Sequence, residues 1–203
     1  MNRAAIIHAI QSRMADIVPD AQVEVASDSF VDLLLDDCVE GFYMLIPVRF
    51  LPRTEFTSNN KRLVSTDEVK VNRIKLPDNF IRLIAFRCAT WKRTVSEVLA
   101  EGSPQHKAQF GKHTFGGNVR PQVTNVSDAT LGNSLEYYLY TTITDYTPTE
   151  AACVVKTTAE AVPDMLIDVF AWYVAAKAFK AMGEIQYHDS AMKEVEQFVA
   201  THK

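Results

Sequence analysis

Apolar positions recur with a helical period at both ends of this chain and with a strand period between them. Near the start, Ile7, Ile10, Met14 and Ile17 stand at i, i+3, i+7 and i+10 behind Asn2, whose side chain can accept from the free N–H groups of a first turn. The spacing predicts a helix of about four turns ending near Pro19. A longer stripe follows, through Val31, Leu34, Leu35, Cys38, Phe42, Leu45 and Ile46, with Ser27 or Asp28 as its cap and Pro47 as its stop. The acids Asp32, Asp36, Asp37 and Glu40 fall largely off that stripe.

From residue 69 the period shortens to two. "VKVNRIKLP" alternates, "FIRLIAFRCATW" is apolar on both faces and "PQVTNV" is a short strand. "LEYYLYTTI" sets Leu135, Tyr137, Leu139, Thr141 and Ile143 against Glu136, Tyr138 and Tyr140, the pattern of a half-buried strand. "AACVVK" is expected to pair with it across "DYTPTE" as a hairpin. Residues 53–66, "RTEFTSNNKRLVST", read as a polar loop, and 95–120 as a short helix followed by a glycine-containing basic loop.

The helical period returns after Pro163, which suits a first turn. Asp164 and Asp168 favour the positive end of the dipole, Lys177 and Lys180 the negative end, and Gly183 is placed to terminate the helix. "MLIDVFAWYVAAKAFKAM" is apolar on most sides, so it predicts burial on more than one face, with Ala171, Ala175, Ala176, Ala178 and Ala181 admitting a neighbouring backbone. A last helix carries Met192, Val195 and Val199 on one face. The expected class is α+β: a bundle of N- and C-terminal helices (1–47 and 162–203) packed together, with a β-rich insertion over 48–161, in one domain of 203 residues.

Composition changes this picture little. With 47% hydrophobic and 23% charged residues the chain has ordinary globular usage. No apolar run approaches the eighteen or so residues of a membrane span, and the first residues carry Asp16 and lack a signal-peptide cleavage pattern, so no membrane partner and no secretion by that route are expected. Cys38, Cys88 and Cys153 are odd in number and widely spaced, which suits neither a disulfide framework nor a zinc site and points to a reducing compartment during folding.

Charge changes it more. Residues 1–47 hold two Arg against eight Asp+Glu, 48–120 hold fourteen Lys+Arg against six, and 121–203 hold five against eleven, so segments of about −6, +8 and −6 make up the net −4. Such a layout folds either into a well-mixed surface or into one basic and one acidic region through which identical copies attract side by side.

Candidate chemistry is sparse. The five histidines form no HxxxH or HxH pair and none lies at ligand spacing from a cysteine, so no metal is expected. "TFGGNVR" lacks the GxxxxGK[ST] pattern, GxSxG is absent, and Cys88 and Cys153 sit in apolar runs that suit inert thiols. Asp36 and Asp37 lie on one helix, where neighbouring carboxylates diverge, so they suit a solvated or interface face rather than acid/base work. "WKR", with Arg82 and Arg87 upstream, suits either nucleic acid or a protein interface; the acidic total and the absence of a reader motif favour the interface, carried by Trp91, Lys92 and Arg93. The expectation is no enzyme, no cofactor and no catalytic residue.

Leu76, Pro77, Asp78, Phe80, Leu83 and Ile84 make a segment similar to the "LPxDFLRL" stretch of tail-tube or adaptor proteins of short-tailed phages, which form the ring beneath the portal. The continuation, with Trp91, Lys92, Arg93, Ser103, Pro104, Gln109, Arg120 and Pro121, resembles ring proteins of crAss-like Bacteroides phages, in which a Trp-basic pair precedes an "SPxxxxQ" helix and an "RP" strand. The likeness covers residues 70–140 best. It implies a virion structural protein, a head-to-tail connector assembled in the host cytoplasm as a twelvefold ring of itself. Its implied partners are the portal protein and other tail or ring proteins, with genomic DNA passing through the lumen without sequence-specific binding. The alternative function is a nucleic-acid-binding module using the basic middle segment.

Overall fold

The computed structural model describes residues 1–18, 26–56, 61–65, 70–77, 79–88, 94, 96, 122–127, 135–141 and 148–202. The fold is α+β, and the chain forms two compact units: Met1–Pro52 with Lys156–Lys203, and Arg53–Val155.

In the first unit, helix α1 (Arg3–Ile17) begins where the Asn2 side chain accepts from Ala5 N (2.8 Å). Its buried residues are Ile6, Ile10 and Met14, so the stripe expected through Ile7 and Ile17 is turned; those two are only half-buried. The reason is the partner. α1 packs chiefly on α3 (Ile167–Met182), and the i, i+4, i+8 line is the one that meets it. Helix α2 (Asp28–Leu45) is capped by Ser27, whose side chain accepts from Phe30 N, and ends before Pro47. It buries Val31, Leu35, Cys38, Val39, Phe42 and Tyr43, whereas Leu34 is half-buried and Leu45 is 43% exposed, so the stripe is shifted toward Val39 and Tyr43. Phe42 fixes that rotation, its ring lying 5.0 Å from Phe170 and 5.7 Å from Tyr173 between centroids. Tyr173 reaches across from α3 to α2, where a Cβ on Gly41 would sit 2.5 Å from its hydroxyl.

Helix α3 is the centre of this unit. A 3-10 turn (Asp164–Leu166) leads into it after Pro163, ten of its residues are buried, and Ala171, Ala175, Ala176 and Ala178 are among them; Ala181 is exposed. Gly183 takes φ +85°, and its N–H and that of Glu184 reach back to Lys180 O (3.1 Å) and Phe179 O (2.9 Å), closing the helix end that only a residue tolerant of the left-handed region closes cheaply. Helix α4 (Ile185–Thr201) returns along α3, burying Ala191 and Val195, with Phe179 and Tyr187 rings 5.4 Å apart and His188 Nδ1 2.9 Å from Ala176 O. Met192 and Val199, expected on that face, are half-buried.

The second unit holds two antiparallel sheets, ordered β1-β7-β4 and β2-β3-β6-β5. The strands are β1 (Thr54–Glu55), β2 (Lys61–Ser65), β3 (Lys70–Lys75), β4 (Phe80–Cys88), β5 (Gln122–Ser127), β6 (Leu135–Thr141) and β7 (Pro148–Val155). Strand β4 is buried on both faces at Ala85 and Phe86, and β7 at Ala152, Cys153 and Val154, as an apolar run rather than an alternating one requires. Two expectations are corrected here. Residues 53–66 contain β1 and β2 rather than a loop alone, and "AACVVK" does not pair with "LEYYLYTTI". β7 lies between β1 and β4, with Leu83 opposite Cys153, while β6 lies between β3 and β5. An apolar strand such as β7 gains more from the two-sided β4 than from its half-polar neighbour in sequence. The short helix and basic loop expected over 95–120 lie outside the described residues, Ser96 excepted.

Candidate interface residues

Eight acids and two arginines in residues 1–47 demand that Arg3 and Arg13 be shared, and the fold shares them. Arg3 Nε donates to Asp32, Nη2 to the Asp32 carbonyl (3.0 Å), and Nη1 to Asp36 (3.3 Å) and Glu160 (3.2 Å). Asp36 is doubly used, since its Oδ1 also accepts from Ala159 N (2.9 Å), tying α2 to the 3-10 turn Ala159–Ala161. The Asp32 and Glu160 carboxylates raise the Arg3 guanidinium well above its ordinary range, and the Glu160 carboxyl is held below the usual range by its own backbone N–H, the Thr158 hydroxyl and Arg3. Arg13 bridges Asp168 (Nε, 2.9 Å) and Asp16 (2.9 Å) and lies 5.3 Å from the Trp172 ring centroid.

The two neighbouring aspartates of the candidate face therefore part company. Asp36 is a structural ligand of Arg3 and of a backbone N–H, whereas Asp37 is exposed and makes no ion pair among the described residues. Asp37 shares the outer face of α2 with Glu40, also exposed, and with Leu33, which is 77% exposed. Sequence reasoning missed both the Arg3 hub and Leu33. The scarcity of cations in residues 1–47 is the signal that could have found the hub; Leu33 follows Asp32 and precedes Leu34, and nothing local separates the three leucines 33–35.

Trp91, Lys92 and Arg93 lie outside the described residues. Thr94, next in the chain, donates through Oγ1 to Glu150 Oε2 (2.8 Å) on β7, whose Oε1 accepts from Arg53 Nη2 (3.1 Å). Thr94 and then Arg53 hold the Glu150 carboxyl below its usual range.

Among the described residues, Cys38, Tyr173 and Lys177 form a further cluster of titratable groups. Burial pushes the Cys38 thiol up to about 11, against Lys177 and with Asp37, and pushes the Tyr173 phenol up to about 12; Lys177 Nζ lies 5.0 Å from the Tyr173 ring centroid. A thiol raised in this way is a poor nucleophile. Among the described residues no three His, Cys, Asp or Glu side chains stand where they could hold a metal ion, and no helix is long and apolar enough to cross a membrane. No family model matches the chain, and no curated protein matches it.

Proposed function

We propose that the chain is a structural protein of a phage virion: a connector subunit that assembles side by side with copies of itself into a twelvefold ring below the portal. The observation that carries the reading is the division of charge between the two units. The helical unit holds eight Lys+Arg against fifteen Asp+Glu, net −7, and the β-rich unit thirteen against ten, net +3. Copies of such a chain attract through unlike units, as ring neighbours must. The likeness of residues 70–140 to ring proteins of short-tailed phages supports the same reading. Asp37 and Glu40 supply the acidic side of the junction, with Leu33 as an apolar anchor, and Trp91, Lys92 and Arg93 the basic side. The role needs no catalytic step and no cofactor. Its further partners are the portal, other tail or ring proteins, and genomic DNA passing through the lumen without sequence-specific contact.

Exposed ion pairs contribute only about 0 to 1 kcal/mol each, so free subunits stay monomeric at low concentration and the portal acts as template. Electron microscopy of the protein mixed with its cognate portal tests this. Twelvefold rings are expected from the unmodified chain and impaired assembly from Arg93→Glu and Asp37→Lys, with unchanged melting temperatures. Normal rings from Arg93→Glu would remove that residue from the junction; no ring from the unmodified protein would overturn the connector reading.

A further inference from the structure

Helix α2 is satisfied on one side and bare on the other. Three of its acids are engaged by α1: Asp28 accepts from Gln11 Nε2, and Asp32 and Asp36 accept from Arg3. Asp37 and Glu40 are exposed and make no ion pair among the described residues. Spacings of four, three and four residues put Leu33, Asp37, Glu40 and Met44 in one line along the helix, ~16 Å long. Leu33 is 77% exposed and Met44 55%, and Leu45, next to Met44, is 43% exposed. The line is therefore apolar at both ends, with two carboxylates between. Folding gains nothing from that layout, since an exposed leucine buries little area and carboxylates three residues apart on a helix repel.

We infer that this line seats residues 91–95 of a neighbouring copy, Trp-Lys-Arg-Thr-Val, as an extended run antiparallel to α2. Alternate residues of an extended run share a side, so Trp91, Arg93 and Val95 seat together, spanning ~13 Å, close to the ~16 Å of the helix line. Their order of apolar, cation, apolar mirrors Met44, the acid pair and Leu33. The Arg93 fork meets both Glu40 and Asp37, for which a planar guanidinium with five donors is better shaped than an ammonium. Trp91 takes the Met44 end, where Leu45 adds a second apolar side chain and a thioether suits an aromatic ring. Val95 then falls on Leu33. Thr94 keeps the opposite side of the run, where its hydroxyl donates to Glu150 of its own chain (2.8 Å). Lys92 shares that side and acts from the rim, steering the approach. The identity of the occupant rests on the ring reading; the exposed line on α2 does not.

The test uses a fluorescein-labelled peptide of residues 89–97 and the full chain carrying Arg93→Glu, whose own segment then does not occupy a neighbour's α2. Fluorescence anisotropy should show saturable binding that weakens as salt rises. Asp37→Asn with Glu40→Gln should weaken it at least about tenfold. Glu194→Gln with Glu196→Gln removes as much charge from exposed positions of α4 and should change Kd less than about threefold. In the peptide, Arg93→Lys should cost at least about fivefold, because the fork is lost, and Lys92→Ala less than about threefold. Leu33→Ala in the chain and Val95→Ala in the peptide should each weaken binding, and together no more than either alone, since both remove one contact. The substituted chain positions are exposed, so melting temperatures should not change. No binding of the peptide, equal binding of a scrambled peptide of the same composition, or additive losses from Leu33→Ala and Val95→Ala would each overturn the seat. Rings of the unmodified chain on the portal without peptide binding would keep the connector and discard the seat; peptide binding without rings would keep the seat and discard the connector.

Discussion

Replacing Gly41 with alanine sets two effects against each other. Gly41 lies inside α2, where alanine is favoured over glycine by about 1 kcal/mol, so propensity alone predicts a more stable protein. The added Cβ, however, would stand 2.5 Å from the Tyr173 hydroxyl, nearer than such atoms approach, and 3.6 Å from the ring carbon that bears it, an ordinary contact. Tyr173 is 4% exposed, its ring packs on Phe42, and it cannot withdraw without disturbing α3. Overpacking of this kind costs about 1 to 3 kcal/mol. The overpacking term wins, and Gly41→Ala should destabilise by about 1 kcal/mol. The decisive comparison is the same substitution in a Tyr173→Phe background. With the hydroxyl gone only the ordinary contact remains, and Gly41→Ala should there stabilise by up to about 1 kcal/mol, giving a coupling on the order of 2 kcal/mol in a double-mutant cycle. Urea unfolding followed by circular dichroism measures all four proteins. A stabilising Gly41→Ala in the unmodified background, or the same effect in both, would refute the close packing of α2 on α3.

Phe170→Ala should cost about 3 to 5 kcal/mol, because the residue is fully buried against Phe42 and a cavity adds to lost transfer energy; an unchanged melting temperature would contradict this. In a Cys88→Ala background, Cys38 and Cys153 should resist a thiol-specific reagent at pH 8 until urea unfolds the chain, since burial raises both thiols to about 11; rapid labelling of the native protein would show them exposed. Glu160 has a lowered pKa in the folded state, so its contribution is whole above the unfolded value of about 4.3 and is lost as pH falls through the folded one. The melting-temperature gap between the unmodified protein and Glu160→Gln should accordingly narrow as pH falls from neutral through the acid range, and a gap constant over that range would sever Glu160 from the Arg3 hub.

The helices were legible because their signals are local. Asn2, Ser27, Pro47 and Gly183 mark boundaries by backbone chemistry that no distant residue alters. The phase of α1 was not, since Ile6 and Ile7 are the same residue and only α3 distinguishes them. Strand partners were hidden for a similar reason: "AACVVK" shows a strand but not that its partner is β4, about seventy residues earlier in the chain. β1, two residues long, is too short to display a period. At the candidate interface, Asp36 and Asp37 are identical in type and adjacent, and what separates their roles is Arg3, thirty-three residues away.

The building of one helical unit from segments on either side of residues 53–155 has a consequence for synthesis. α1 and α2 emerge with their apolar stripes lacking the helix that covers them, because α3 follows only after the whole β-rich unit has been made. At about 5 to 20 residues per second, that interval is on the order of ten seconds. For that time the nascent chain lacks the cover that α3 gives Ile6, Ile10, Met14, Leu35 and Phe42 in the finished fold. Chains terminated before residue 167 lack it permanently and should precipitate, while a separately made 156–203 segment supplied to them should restore solubility.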